Sequence, residues 1–399
     1  MRKYIAIILL IFFLIPVNIY AASQENNNME IKTDNIYENS NISQKEKNID
    51  QELIENNEKV YKAVIIDTIE KSKRDELGNF SEIVRVRFLN GPDKNKEENI
   101  EYYYDEALNI KLNLNPGSKV LVSQNKTASG SALYSIVDNY RINYLIYLGI
   151  AFSLILIIIG GLKGIRTLIS ILLTVIILFF VAIPLIIKGY NSIAIAIISS
   201  IVILVLNTII ACGYNKKAIS TIIGTSSGVI IAGAIAYYIG KEVNLRGISM
   251  DESQMLFALK DIIKFSPEGI LFTGIIWGTL GAVMDVGMSI SSSINEIKIA
   301  NPDYRFKDLF KSGIVIGRDI MSTMSNTLIL AYFGSSLPLI LLILISNENI
   351  MKVVNMDFIA TEIVRSLAGS IGLILTIPIT AFIAATMISK NKKISEIED

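Results

Sequence analysis

Two apolar segments of this chain carry charged residues, which are costly to place inside a membrane. The first, residues 271–293, contains Asp285 among small and apolar residues. The second, residues 313–338, contains Arg318 and Asp319 near its start. Ionisable side chains in a bilayer cost at least about 2.5 kcal/mol each, so they normally face the protein interior and pair with one another. The two segments are therefore the candidate functional centre.

The depth of the two charges predicts an ion pair. If both segments span the membrane, Asp285 lies about six residues from the cytoplasmic boundary and Arg318 about five residues from it. At a rise of roughly 1.5 Å per residue, the two side chains share a depth of about 7 to 9 Å. We expect them to pair directly, with Asp319 sharing the guanidinium or turned elsewhere. Two interpretations stay open: a buried pair that only docks two helices, or a polar site that binds an ion or a small solute.

Hydroxyl and amide side chains follow these charges on both segments. Such groups can replace a hydration shell or line a water-filled cavity. They can equally form interhelical hydrogen bonds worth about 0.6 kcal/mol each. The candidate intramembrane site comprises Asp285, Ser289, Arg318, Asp319, Thr323 and Asn326.

Other patterns in the apolar segments suit helix packing. Glu362 and Arg365 stand three residues apart near the start of the last segment, where they can pair along one helix face or meet headgroups and water. Glycines that recur at four-residue spacing let helices approach closely. These glycine pairs are Gly160/Gly164, Gly224/Gly228, Gly274/Gly278 and Gly313/Gly317.

The composition is that of an integral membrane protein. Hydrophobic residues make up 51% of the chain, too many for an ordinary soluble enzyme of this length. The 37 Lys and Arg balance the 37 Asp and Glu, and without a basic run we expect no nucleic-acid partner. The chain has no histidine and a single cysteine, which removes the usual zinc ligands and the dyads built on His or Cys. We expect no enzyme activity, no cofactor and no metal; the lipid bilayer is the expected partner.

The N-terminal part has three sections. Residues 1–23 have a basic start, an apolar run and small residues, as in a signal peptide or signal anchor. Residues 24–57 are rich in Asn, Glu, Lys and Ser, which predicts a disordered polar linker. Residues 58–140 show short β-branched runs between Gly, Pro and Asn turns, which predicts an extracytoplasmic β-rich domain, a small antiparallel barrel or sandwich.

Residues 141–389 are almost continuously apolar, which predicts a transmembrane helical bundle. The sixth span is overlong and contains Gly334 and Pro338, so we expect it to be bent or split, giving seven spans or eight segments. The predicted spans are 143–161, 167–187, 192–211, 218–239, 268–290, 314–346 and 360–388.

The distribution of Lys and Arg predicts the orientation. An exported N-terminal domain makes the first span run inward, and the segments then predicted to be cytoplasmic hold more Lys and Arg than the outer loops. The chain is thus predicted to be a multi-pass protein of the cell membrane, with its tail, residues 390–399, in the cytoplasm.

Two long motifs resemble a known family. They read G-A-V-M-D-V-G-M-S-I-S-S-S-I-N-E at residues 281–296 and G-R-D-I-M-S-T-M-S-N-T-L-I-L-A-Y-F-G-S-S-L-P at residues 317–338. With them, the chain closely resembles the YibE/F-like family of bacterial multi-spanning membrane proteins, from the β-rich domain to the last span. The resemblance implies a multi-spanning protein with an extracytoplasmic N-terminal part, and it implies no particular activity.

The charged segments favour transport. The leading hypothesis is a permease or ion-coupled transporter of a small solute, with its polar site between the fifth and sixth spans. The sequence contains no Walker A motif, so an ion gradient is a simpler energy source than ATP. The alternative is a non-transporting envelope sensor or assembly scaffold whose β-rich domain binds an extracytoplasmic partner.

Overall fold

A computed structural model of the chain separates into two compact units, residues 1–154 and 155–399. The residues described are 59–74, 80–104, 112–126, 132–247, 266–345 and 348–389. The predicted signal segment, the polar linker and the tail lie outside these ranges, so their assignments stay predictions.

The first unit contains the predicted all-β domain. Its five antiparallel strands form one sheet in the order β3-β2-β1-β4-β5. Alternate side chains of β2, Val84, Val86 and Phe88, are fully buried, as expected for a strand with one face on a core. The strands are β1 (Lys59–Arg74), β2 (Phe80–Phe88), β3 (Glu97–Tyr104), β4 (Lys119–Lys126) and β5 (Ala132–Asn139).

Glycines form two of the turns between these strands. Gly91 and Gly117 have φ angles of 85° and 86°, a conformation in which an L side chain is strained. At the first turn, the Asn90 side chain accepts a hydrogen bond of 2.6 Å from the Lys62 backbone N–H. At the second, the Ser118 backbone N–H donates to the Asn115 carbonyl at 2.9 Å.

The helices confirm the predicted polytopic class. Six described helices are long and apolar enough to cross a membrane, and a bent pair brings the number to seven. The helices are α1 (Ile142–Gly160), α2 (Leu162–Ile187), α3 (Ser192–Cys212), α4 (Lys216–Glu242), α5 (Pro267–Ala300), α6 (Phe306–Ser335), α7 (Leu337–Ile345), α8 (Ile350–Val354) and α9 (Asp357–Ser389). Helices α6 and α7 meet at a bend of 64°, where the sequence predicts a broken span.

Helix α2 contains a turn of π-helix at Ile177–Ala182. Just before it, the Thr174 hydroxyl oxygen accepts a hydrogen bond of 3.0 Å from the Asn207 side chain on α3. Just after it, Ile186 is buried. The wider turn therefore lies between two points at which the helix is held by its surroundings.

Helices α4, α5 and α9 pack closely in the second unit. A Cβ atom added at Gly228 would lie 1.8 Å from Thr376 Oγ1 and 3.0 Å from the Gly372 carbonyl oxygen. Helix α6 approaches the same core through glycine: a Cβ at Gly317 would lie 2.1 Å from an Ile377 methyl carbon. These positions require glycine because larger residues would separate the helices.

Candidate intramembrane site

Asp285 lies on the face of α5 that turns away from the bundle core. Val283, Val286 and Ile290 on the opposite face are fully buried. Asp285 and Ser289, one helical turn apart, are exposed. Within the described part of the chain, Asp285 has no hydrogen bond and no ion pair.

Helix α6 also turns its polar residues outward. Gly313, Gly317 and Leu328 are buried on one face, and the predicted site residues lie on the other side. The Thr323 hydroxyl donates 3.0 Å to the Ile320 carbonyl of its own helix. The exposed polar residues in the middle of α6, between residues 318 and 327, are Arg318, Asp319, Ser322, Thr323, Asn326 and Thr327.

The structure does not bring Asp285 and Arg318 together within one chain. No N–O distance of 4.0 Å or less joins them in the described residues. A Cβ at Gly317 would lie 3.5 Å from the Ile290 side chain, so Arg318 is level with the part of α5 near Ser289, about one turn from Asp285. Burial of the apolar faces of both helices turns the charges outward.

One serine near Asp285 has a packing role instead. Ser291 is fully buried, and its hydroxyl donates to the Lys217 carbonyl of α4 at 3.0 Å. It also contacts the Ser220 hydroxyl. Trp277, earlier on α5, donates from its indole N–H to the Ser199 hydroxyl of α3 at 3.0 Å. These polar groups connect neighbouring helices.

Glu362 and Arg365 form an ion pair along α9. The Arg365 Nη1 group donates to Glu362 Oε1 at 2.8 Å, and the side chains are only 12% (Glu362) and 20% (Arg365) exposed. Glu362 Oε2 and Arg365 Nε are buried without a hydrogen-bond partner in the described residues. Groups of this kind usually find a partner, protein or water.

A partly open cavity of about 310 Å³ adjoins this pair. Most of its lining is apolar and comes from α6, α7 and α9 on both sides of the 64° bend. Ser336 at the bend and Ser366 add hydroxyl groups beside Glu362. The Arg365 guanidinium carbon lies 5.9 Å from the centre of the Tyr332 ring, which also lines the cavity. Sequence reasoning missed Tyr332, although the glycine, serines and proline of the predicted break follow it closely.

The cavity suits a small molecule with an apolar body and one group that donates a hydrogen bond. The Glu362 carboxylate, which lines the cavity, matches that group, while the isoleucine and leucine side chains match the rest. In the described residues, no group of three His, Cys, Asp or Glu side chains could hold a metal ion.

The helices and the five-stranded domain together define a polytopic α-helical membrane protein with an N-terminal all-β domain. The family model of YibE/F-like proteins matches residues 148–390, more than half of the chain. The chain belongs to the YibE/F-like family, which confirms the resemblance of its two long motifs. Comparisons with curated proteins and with solved structures gave no match.

Proposed function

We propose that this protein is a permease or ion-coupled transporter of a small solute, and that it is not an enzyme. One observation carries the proposal: the Glu362 carboxylate, held in a nearly buried ion pair with Arg365, borders a cavity at a broken helix. Transporters form substrate and ion sites at discontinuous membrane helices because the break frees backbone groups for a ligand.

The polar residues of α6 support a pathway that leads away from the cavity. Ile329 and Phe333 line the cavity. Arg318, Ser322 and Asn326 precede them at three- or four-residue spacing, which places all five on one side of the helix. The pathway would thus combine the cavity with the polar residues predicted between the fifth and sixth spans.

The proposal includes the orientation predicted from the charge distribution. With the β-rich domain outside and the tail in the cytoplasm, α6 runs outward and α9 runs inward. The cavity then lies in the outer half of the membrane, and Arg318 and Asp319 lie toward the cytoplasm. A solute entering from outside would meet Glu362 before Arg318 and Asp319.

The β-rich domain favours a second candidate function, that of an envelope sensor or assembly scaffold. Leu133 and Val137 lie on the same face of β5 and are 58% and 52% exposed. Exposed apolar residues on one face of a strand can mark a surface for a partner protein. A protein of this kind would bind through the β-rich domain and transport nothing.

Flux in proteoliposomes tests the proposal. Uptake of protons, sodium, potassium, and radiolabelled amino acids and carboxylic acids is measured for the wild type, Glu362→Gln and Glu348→Gln. Glu348 makes a matched control because it also pairs with a basic residue, Lys352, at 2.7 Å, and both members of this pair are more exposed than Glu362 and Arg365. We expect uptake of at least one probe, lost in Glu362→Gln and kept in Glu348→Gln. If no probe enters faster than into empty vesicles, the transporter is ruled out in favour of the sensor or scaffold.

A further inference from the structure

Helices α5 and α6 present a polar surface that nothing within the described part of the chain covers. We call it the α5/α6 polar face. Its residues are Asp285 and Ser289 on α5 and Arg318, Asp319, Thr323 and Asn326 on α6, and all six are exposed. Both helices belong to apolar spans, so this face would meet lipid if it stayed uncovered. Lipid cannot solvate a carboxylate or a guanidinium, whose insertion is costly.

The charges on this face complement one another. It carries the acids Asp285 and Asp319 and the base Arg318, with no partner for Asp285 or Arg318 in the described residues. The other charged pair away from the helix ends, Glu362 and Arg365, is already joined along α9. Helix α1 contains no Asp, Glu, Lys or Arg that could neutralise the face. Because the α5/α6 polar face carries both acidic and basic residues, the same face of a second copy would offer it complementary charges.

Two glycines of α5, Gly274 and Gly281, support a close contact on the same side, whereas a Cβ atom at Gly278 between them would meet Tyr332 of α6 at 2.9 Å. A Cβ atom at Gly274 or Gly281 would meet nothing within 4 Å. At Gly228 and Gly317, elsewhere in the bundle, an added Cβ atom would lie closer than contact distance to a neighbouring helix. Gly281 lies one helical turn from Asp285, so Gly274 and Gly281 lie on the same side of α5 as this charge. Bare backbone on an outer face allows a second helix to approach closely.

We propose that a second copy of this chain covers the α5/α6 polar face, with Asp285 of each copy paired to Arg318 of the other. A two-fold interface is self-complementary, so one such contact forms twice. Asp285 and Arg318 are offset by about one helical turn along the axes of α5 and α6. The long arginine side chain can bridge this offset. The dimer accounts for both charges, and it does not require that the protein transports anything.

A charge exchange between two copies distinguishes pairing across the interface from pairing within a chain. One tagged copy carries Asp285→Arg and the other carries Arg318→Asp. Alone, each copy places like charges opposite each other and should dimerise at least about a hundredfold more weakly than the wild type. Expressed together, the two copies restore opposite charges at both contacts, so each should capture the other as well as wild-type copies capture one another. Pairing within one chain predicts no such recovery.

Cross-linking in native membranes gives a second test that keeps the charges intact. Cys212 is the only cysteine, so it is replaced by serine and single cysteines are introduced elsewhere. Ser289→Cys lies on the α5/α6 polar face, and Ile198→Cys lies on the outer surface of α3, where Ile198 is 62% exposed. A short thiol–thiol reagent should give dimers with Ser289→Cys and few with Ile198→Cys. Equal yields would show that no second copy covers the face and would overturn the proposal.

The charge exchange and the cross-linking test different parts of the proposed dimer. Efficient cross-linking without recovery by the exchanged charges would overturn the Asp285–Arg318 contact. If the charge variants fail to reach the membrane, the comparison of Ser289→Cys with Ile198→Cys decides whether a second copy covers the face. Neither experiment measures flux, so failure of the dimer would not by itself show that the protein transports nothing, and failure to detect flux would not show that it is monomeric.

Discussion

Replacing Gly228 with alanine should separate two helices of the bundle core. The new methyl carbon would lie 1.8 Å from Thr376 Oγ1, 2.9 Å from a Val283 methyl carbon and 3.0 Å from the Gly372 carbonyl oxygen. The threonine can rotate, but it would then lose its 2.8 Å hydrogen bond to the Gly372 carbonyl. The backbone of Gly372 can move only if α9 moves with it.

The expected cost follows from three terms. Overpacking of a close contact costs about 1 to 3 kcal/mol, and loss of the threonine hydrogen bond about 1 kcal/mol. Alanine recovers about 1 kcal/mol because it is a better helix former than glycine. The free energy of unfolding should therefore fall by about 1 to 3 kcal/mol.

Unfolding of the full chain in mixed detergent and SDS micelles measures this change. Gly160→Ala is the matched control, because a Cβ atom at Gly160 would meet nothing within 4 Å. Because Gly160 is the last residue of α1, little of the gain in helix propensity applies there, and we expect the free energy of unfolding to shift by less than about 0.5 kcal/mol. If Gly228→Ala proves as stable as Gly160→Ala, the close contact between α4 and α9 does not exist.

Three further predictions concern other contacts. The hydrogen bond from Arg141 lowers the pKa of Asp138, so the pair should stabilise the fold above the unfolded pKa of about 4, and this stability is lost as the pH falls through the lower folded pKa. When the free energy of unfolding is measured against pH, Asp138→Asn should lose less stability in acid than the wild type. Equal losses in the two proteins would contradict this role of the pair. Ser199→Ala removes the hydroxyl that accepts the indole N–H of Trp277, the only tryptophan. The tryptophan fluorescence should move to shorter wavelength, and the free energy of unfolding should fall by about 1 kcal/mol. Unchanged fluorescence would exclude this hydrogen bond. A Cβ atom at Gly117 would meet nothing within 4 Å, but the φ angle of 86° strains any L side chain. Gly117→Ala should therefore lower the free energy of unfolding by about 1 to 2 kcal/mol through backbone strain alone, as measured in denaturant. No loss would mean that the turn adopts another conformation.

The sequence was sufficient to predict the elements because their patterns are local. About 20 apolar residues specify a span, and alternation in residues 83–89 specifies a strand with one buried face. The break after Tyr332 was also predictable, because Gly334 and Pro338 weaken a helix wherever it packs. These features depend on neighbours within a few residues.

The direction in which each helix faces was not predictable in the same way. The cost of charge in lipid suggested that Asp285 and Arg318 point inward, toward each other. In the structure, the isoleucines of α5 and the glycines of α6 occupy the inner faces, because a close fit with α9 buries more apolar surface. The cavity beside Glu362 depends on the bend angle and on where α9 begins, which are set by contacts distant in sequence.

The π-helical turn in α2 gives this membrane helix a place where its length can change. Loss of one residue from a regular α-helix rotates everything beyond it by about 100°, which would turn lipid-facing side chains toward the protein. A π-turn already holds an additional residue. Deletion of one residue within Ile177–Ala182 should convert it to α-helix while Thr174 and Ile186 keep their faces. Natural variants of different length, and engineered insertions with deletions, should therefore be tolerated at this turn before any other position of the helix.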